Sequence, residues 1–487
     1  MNRTSILKYV APLTYLASLA LLPGVWPDGA ARAGEPAAAD TTLSFIGTVR
    51  DDTLYVDRPR VIAAALERNE MLAASGALRD AAAAEAQGAW RAFLPQVQLG
   101  EFFLRSDDAL MSFGYKLQNR VVTMADFNPA LLNAPGETNN YITRIQLLQP
   151  IFNGGMGLGG KKAANAMSRA AEYDHRRAAE TIRYQAIQAF EGSRLAQAYL
   201  RVMDAAVSSA SGHVHRAESM VRNEMATEAD LLQARVFLNA LQQKRIEVRN
   251  MVAIAGENIK LLTALTTDLP VVAEAKGEPE LTAPVAPAPD AVLSRHDLLA
   301  RREEAAAAGD MVTVARGAML PHVNLSLQRD YYSREDLFGD DARSWTLGVY
   351  ATWDVFKGLQ NIGEMKKAKA RSRAASHRVD FETRHARVEA TQASLAVEAA
   401  HDRVLVAREA VTAAREGLRI VTNQYTEGLA TMVDLLDVQA AATSAEGNLV
   451  QALHDYAVGR ANLEYTGAVA PTEPTAAATD TTTAGGR

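Results

Sequence analysis

The most regular feature of the chain is an alternating spacing of four and three residues. Apolar or small residues stand at Ala386, Ala390, Ala393, Val397, Ala400, Val404, Ala407, Val411, Ala414, Leu418 and Val421. That spacing gathers them on one stripe of an α-helix, the seam of a coiled coil. Ile182, Ala186, Ala189, Ser193, Ala196, Leu200, Met203, Val207 and Ala210 keep the same register. A shorter seam follows each long one, Leu231 to Leu262 and Leu435 to Leu463, with Arg245 the charged exception in the first. Alanine-rich seams let helices approach closely. The spacing predicts helices over 157–222 and 228–265, then over 360–426 and 432–465. The 61 residues from Lys161 to Val221 make a helix of about 90 Å. Such lengths exceed the ordinary globular helix several-fold.

A second period, of two, appears in four places. Val323, Leu325 and Leu327 alternate with His322, Asn324, Ser326 and Gln328. Trp345, Leu347, Val349, Ala351, Trp353 and Val355 alternate with Ser344, Thr346, Gly348, Tyr350, Thr352 and Asp354. Val97, Leu99 and Phe103, and later Ile145, Leu147 and Ile151, give weaker versions. Period two marks strands with one apolar and one polar face, here over 96–105, 142–152, 322–332 and 344–356.

The chain contains itself twice. Ala226-Thr227-Glu228-Ala229-Asp230-Leu231-Leu232 matches Ala430-Thr431-Met432-Val433-Asp434-Leu435-Leu436 at a shift of 204, as Phe152 matches Phe356. Leu94-Pro95 matches Leu320-Pro321 at a shift of 226, so the first copy carries 22 extra residues around Ser106–Asn140. Their Asn, Pro and Gly content reads as a longer loop. The copies span 34–267 and 291–466, each with a helix before its strands, joined over 268–290 by a Pro- and Glu-containing linker or equatorial segment that packs around the waist of the helices. Thr227-x-x-Asp230 and Thr431-x-x-Asp434 read as capping boxes that start the shorter helices, so each helix pair is an antiparallel hairpin. Gly428 suits the left-handed residue that closes the helix before it.

The N-terminus is a targeting segment. Arg3 and Lys8 precede an apolar run from Leu13 to Leu22, and Ala31-Arg32-Ala33 offers a cleavage site. Residues 1–33 read as a signal peptide, with the mature chain starting near Gly34. The Pro-, Thr- and Ala-rich tail over 467–487 reads as disordered.

Composition narrows the function. A formal charge of −6 gives no support to a nucleic-acid binder. The absence of Cys excludes disulfides, thiolate metal sites, a Cys nucleophile and a lipid on cysteine. His213 and His215 stand two apart on a helix and point to different faces. The run Gly154 to Gly160 lacks the Gly-Lys-Ser/Thr ending of a phosphate loop. No nucleophile motif appears, and no catalytic, cofactor or metal site is expected.

The helices are seamed for one another, which leaves little to cover the apolar strand faces. In lipid such a face can point outward while the polar face lines water. Four strands fall short of the roughly eight that close a barrel, and open edges are not tolerated in hydrocarbon. Sister copies must therefore pool strands; three copies supply twelve.

The duplicated order of elements resembles the TolC-like outer-membrane factor (outer membrane efflux protein) family over roughly Leu54 to Thr466. The segment from Tyr425 through Gly428, Leu429, Thr431 and Asp434 to Leu436 looks like the family's periplasmic turn. Leu94-Pro95 and Leu320-Pro321 look like its helix-to-strand junctions. The resemblance implies a mainly α fold of long antiparallel coiled-coil helices forming a periplasmic tunnel, with four strands per subunit in a shared 12-stranded trimeric transmembrane β-barrel. It implies a homotrimer in the outer membrane, in contact with its lipid and extending into the periplasm, held by the barrel without a lipidated Cys. Such a channel exports substrates in a tripartite efflux pump or type I secretion system, with an inner-membrane transporter and a periplasmic adaptor (membrane fusion protein). By resemblance, Gly428, Leu429 and Thr431 are docking residues for the adaptor, joined by Met225, Ala226 and Thr227; Glu224 replaces the glycine in the first turn. Charge rings near the tip would draw on Glu224, Glu228 and Glu427, with Arg222, Arg415 and Arg419 as partners, while Asp230 and Asp434 serve as caps. The competing readings are a soluble periplasmic coiled-coil scaffold or adaptor, and an exported helical enzyme.

Overall fold

A computed structural model describes residues 45–274, 277–278, 280–282 and 291–467. The segments expected to be a signal peptide (1–33) and a disordered tail (467–487, beyond Gly467) and part of the linker lie outside the described residues. The chain opens with strands β1 (Gly47–Arg50) and β2 (Thr53–Val56), then helices α1 (Arg58–Arg68) and α2 (Glu70–Gly88). Asn69 makes that break: its side chain accepts from the amides of Met71 and Leu72 at 3.0 and 3.2 Å and donates to the Leu262 carbonyl at 3.1 Å. One residue therefore ends α1, caps α2 and ties both to a distant helix. The sequence pattern predicts a single helix here.

Strand β3 (Gln96–Ser106) follows, then α3 (Ala109–Gln118), α4 (Pro129–Asn133) and β4 (Thr138–Phe152). The extra residues expected as a loop thus contain two helices. Asp108 caps α3 through the Met111 amide at 2.8 Å, and Tyr115 is buried beneath it. Next come α5 (Met156–Arg222) and α6 (Glu228–Thr263), strand β5 (Val271–Ala273) and α7 (His296–Gly317). The chain closes with β6 (His322–Ser333), β7 (Ala342–Thr352), α8 (Gln360–Thr426) and α9 (Met432–Tyr465). Strand β7 stops at Thr352, short of the expected 356. The Trp353 indole donates to the Met319 carbonyl at 3.0 Å and turns the chain away.

Two hairpins, α5–α6 and α8–α9, lie side by side, and their seams are the core. Ala386, Ala390, Ala393, Val397, Ala400 and Val404 on α8 are buried against Ala452, Tyr456 and Leu463 of α9. Arg245 pairs with Asp204 and so keeps its charge at the edge of the seam. The linker contributes more than a connection. Strand β5 pairs in parallel with β2, which pairs antiparallel with β1. This small sheet packs its Leu54, Val56 and Val271 onto Ile182, Ile187 and Phe190 midway along α5. Such short strands carry too few alternating positions to announce themselves.

The glycine run enters α5 from β4. An added Cβ on Gly154 would lie 2.4 Å from the Gly317 carbonyl oxygen, so strand-to-helix crossing against α7 requires glycine there.

Candidate functional site

Strands β3, β4, β6 and β7 form one antiparallel sheet in the order β3-β4-β6-β7. Register sorts its residues into alternating rows. Val97, Leu147, Leu327 and Leu347 sit opposite one another across the four strands. The next row holds Gln98, Gln146, Gln328 and Thr346 on the opposite face. Strand β6 joins β4, so the two sequence copies make a single sheet. The apolar face is bare: Val349 is 68% and Trp345 66% exposed, and Val97 and Leu99 are similar. Among the described residues, β3 and β7 are paired on one side only.

The polar face is bonded to itself. Asp330, 5% exposed, accepts from the Arg144 guanidinium at 2.8 Å, the Gln328 amide at 2.6 Å and the Tyr332 hydroxyl at 3.2 Å. Tyr332 also bonds Ser344 at 3.1 Å, and Gln146 donates to Ser326 at 3.2 Å. The Arg144 guanidinium also lies over the Phe102 ring at 5.3 Å, on the same face. Sequence reasoning missed Asp330. Period two continues from Gln328 to Asp330, but its partner Arg144 lies 186 residues away and follows only from the register. A sheet with a bare apolar face and a satisfied polar face suits lipid on one side and water on the other. Among the described residues, no helix is long and apolar enough to cross a membrane.

At the far end of the helices lie the two turns. In the first, the Glu224 amide bonds the Val221 carbonyl at 3.0 Å and the Met225 amide reaches Met220 at 2.8 Å. In the second, the Gly428 amide bonds Tyr425 at 3.1 Å and the Leu429 amide reaches Gln424 at 2.8 Å. The turns are the same motif, with Glu224 at φ 61° where Gly428 has φ 74°. Only glycine takes that region freely, so the first turn carries strain its twin lacks. Thr227 and Thr431 cap the helices that follow: each hydroxyl accepts from the Asp230 or Asp434 amide at 3.2 Å, and each carboxylate accepts back from the Thr amide. The Thr431 hydroxyl and amide hold the Asp434 carboxyl below the usual carboxylate range. Met225 is 67% and Leu429 75% exposed, so each turn presents an apolar tip to solvent.

Ala217, Ala234, Tyr425, Met432 and Leu435 form a buried cluster that locks the hairpins together just behind the tip. Burial first, and the Asp230 carboxylate second, push the Tyr425 hydroxyl up; this hydroxyl is buried and has no hydrogen-bond partner among the described residues. The charges singled out from sequence divide. Arg415 pairs with Glu446 and Arg419 with Glu416, both at 2.7 Å on exposed surface. Arg419 stands eight residues before Glu427, about 12 Å of helix. Arg222, Glu224, Glu228 and Glu427 make no ion pair among the described residues. His213 is buried and faces α9, bonding Gln439 at 3.2 Å, while His215 is exposed.

The family model described as outer membrane efflux protein matches residues 61–265 and 288–466. The outer membrane efflux protein BepC of Brucella suis biovar 1 (strain 1330) is 24% identical over 321 residues, covering 64% of this chain and 69% of that protein. The Campylobacter jejuni CmeC outer membrane channel shares the fold with a TM-score of 0.75 at 18% identity, over 84% of this chain and 85% of that one. The outer membrane protein VceC of Vibrio cholerae does so with 0.71 at 20% identity, over 84% and 96%.

Proposed function

The chain belongs to the outer membrane efflux protein family, and on that premise we propose that three copies of the four-stranded sheet close into one barrel of twelve strands. Strand β7 of each copy pairs with β3 of the next, and the bare apolar faces meet lipid. The observation that carries this reading is the sheet with two chemically distinct faces and two unpaired edges. Beneath the barrel, the hairpins of three copies line a tunnel through the periplasm. Substrates leave through it, driven by an inner-membrane transporter, in a tripartite pump or a type I secretion system. The polar lining is generic, so cargo choice belongs to the transporter.

The tip is the docking surface for a periplasmic adaptor. Leu429 and Met225 supply the apolar contact, with Gly428, Ala226 and the capping residues Thr227 and Thr431 holding the turns in shape. Glu224, Glu228, Glu427 and Arg222 crowd toward the three-fold axis as gate charges; Arg415 and Arg419 act higher on the helix. Fractionation tests the reading as a whole. The protein is expected in outer membrane, requiring detergent and running as a trimer. Recovery as a soluble periplasmic monomer overturns it. So does a pure trimer that conducts no current in a planar bilayer after Glu224, Glu228 and Glu427 are neutralised. Docking is tested separately with Leu429→Asp, which should abolish export with trimer yield unchanged.

A further inference from the structure

Helices α2, α5, α7 and α8 form a curved layer below the sheet, and its concave side is a groove of about 740 Å³. Glu364, Lys367 and Arg371 of α8 line that groove, as do Met156, Gly160 and Met167 of α5. At about 3.6 residues per turn, the residues on the opposite, convex side of α8 are Ile362, Lys366, Lys369 and Arg373. The same geometry on α5 places Leu158, Lys162, Asn165 and Arg169 on the convex side. These sets coincide under the duplication shift of 204: Leu158 with Ile362, Lys162 with Lys366, Arg169 with Arg373. Both copies thus repeat one device, an exposed apolar residue followed by two cations.

Position gives the device a partner. Lys162 and Lys366 each stand six residues into their helix, about 9 Å below its first residue. Both helices start at the sheet, and helical side chains lean toward the N-terminus, so these ammonium groups reach up toward it. One helical turn above them on the same face lie exposed Leu158 and Ile362, and exposed Trp90, Phe93 and Trp353 stand at the junctions between helices and sheet. An aromatic belt of this kind marks the level of lipid headgroups. Lys161 lies over the Trp90 ring at 3.2 Å, Lys357 pairs with Asp354 and Arg169 with Glu303. Lys162, Lys366, Lys369 and Arg373 make no ion pair among the described residues and are exposed.

We propose that Lys162, Lys366 and Lys369 form a basic collar that binds the phosphates of anionic phospholipids in the periplasmic leaflet. The proposal rests on the sheet standing in the membrane with the helices on its periplasmic side. The collar anchors the barrel at its depth, a service that anionic lipid surfaces provide to basic juxtamembrane segments.

The test titrates phosphatidylglycerol, or phosphatidylcholine as the zwitterionic control, into the delipidated detergent-solubilised trimer and counts bound lipid by native mass spectrometry. The native trimer should prefer phosphatidylglycerol, and Lys162→Gln/Lys366→Gln/Lys369→Gln should cut that preference by roughly tenfold. Lys367→Gln/Arg371→Gln, on the concave side, should leave it intact. Lys366→Gln alone should give a smaller loss, which keeps the test available if the triple variant does not assemble. Unchanged preference in an assembled collar variant overturns the proposal. Equal displacement of lipid by inorganic phosphate also overturns it, since the site would then bind a free anion. Trimer yield and bilayer conductance, measured on the same samples, report separately whether the barrel reading itself fails.

Discussion

Asp330 offers a direct test of the polar face, because it joins the two sequence copies at the β4–β6 seam. Replacing it with Ala leaves the Arg144 guanidinium, the Gln328 amide and the Tyr332 hydroxyl without their acceptor. A broken buried ion pair costs about 3–5 kcal/mol. The Arg144 side chain keeps 34% of its exposure while that of Asp330 keeps 6%, so water recovers part of the loss and about 2–3 kcal/mol per subunit is expected. The assay follows refolding into detergent micelles from urea, read by the gel mobility of the intact trimer. Arg144→Gln and Asp330→Asn should each destabilise, and the double variant should fall short of their sum by about 1–2 kcal/mol. Additivity within about 0.5 kcal/mol would refute the reasoning. It would mean that the two residues do not share a network and that this face is solvated residue by residue.

Other consequences can be measured on the same preparation. Burial depresses the His213 imidazole below its ordinary value of 6.5. The unfolded chain therefore takes up the proton first as pH falls. Stability from this site is complete above about pH 6.5 and declines below it until the folded-state imidazole also titrates. His213→Gln should flatten the pH dependence of thermal trimer dissociation between pH 7.5 and 5; an unaltered profile counts against it. Glu224→Gly should stabilise the first turn and Gly428→Ala destabilise the second, each by about 1 kcal/mol, since only the left-handed backbone differs in cost; denaturation of the two variants checks the opposite signs. Val349→Arg on the apolar face should cost about 2–4 kcal/mol and block membrane insertion, whereas Thr346→Arg on the polar face should insert and alter conductance.

Seams, strands, capping boxes and the duplication are all legible from spacing, because each is a local periodicity that a single helix or strand must satisfy to bury or present a face. Thr431 and Asp434 stand three apart in the chain, so their mutual cap needs no knowledge of the rest. The break at Asn69 is only half legible: its cap on the Met71 and Leu72 amides is local, but the bond that ties it in place runs to the carbonyl of Leu262 on another helix. Strand β5 lies in the segment that reads as linker or equatorial segment, and its strand character is hidden there for the same reason: three residues have no period, and only the edge of β2 makes them a strand. Asp330 was a polar residue among many until register set it against Arg144. Arg415 and Arg419 stand in the sequence as cations with no partner marked, and the fold sets them against Glu446 and Glu416. Spacing along the chain dictates which residues share a face, because side-chain direction follows from backbone geometry within each element. Which faces meet is set by the folded arrangement, because pairing between elements is chosen by the total energy of packing and hydrogen bonding across hundreds of intervening residues.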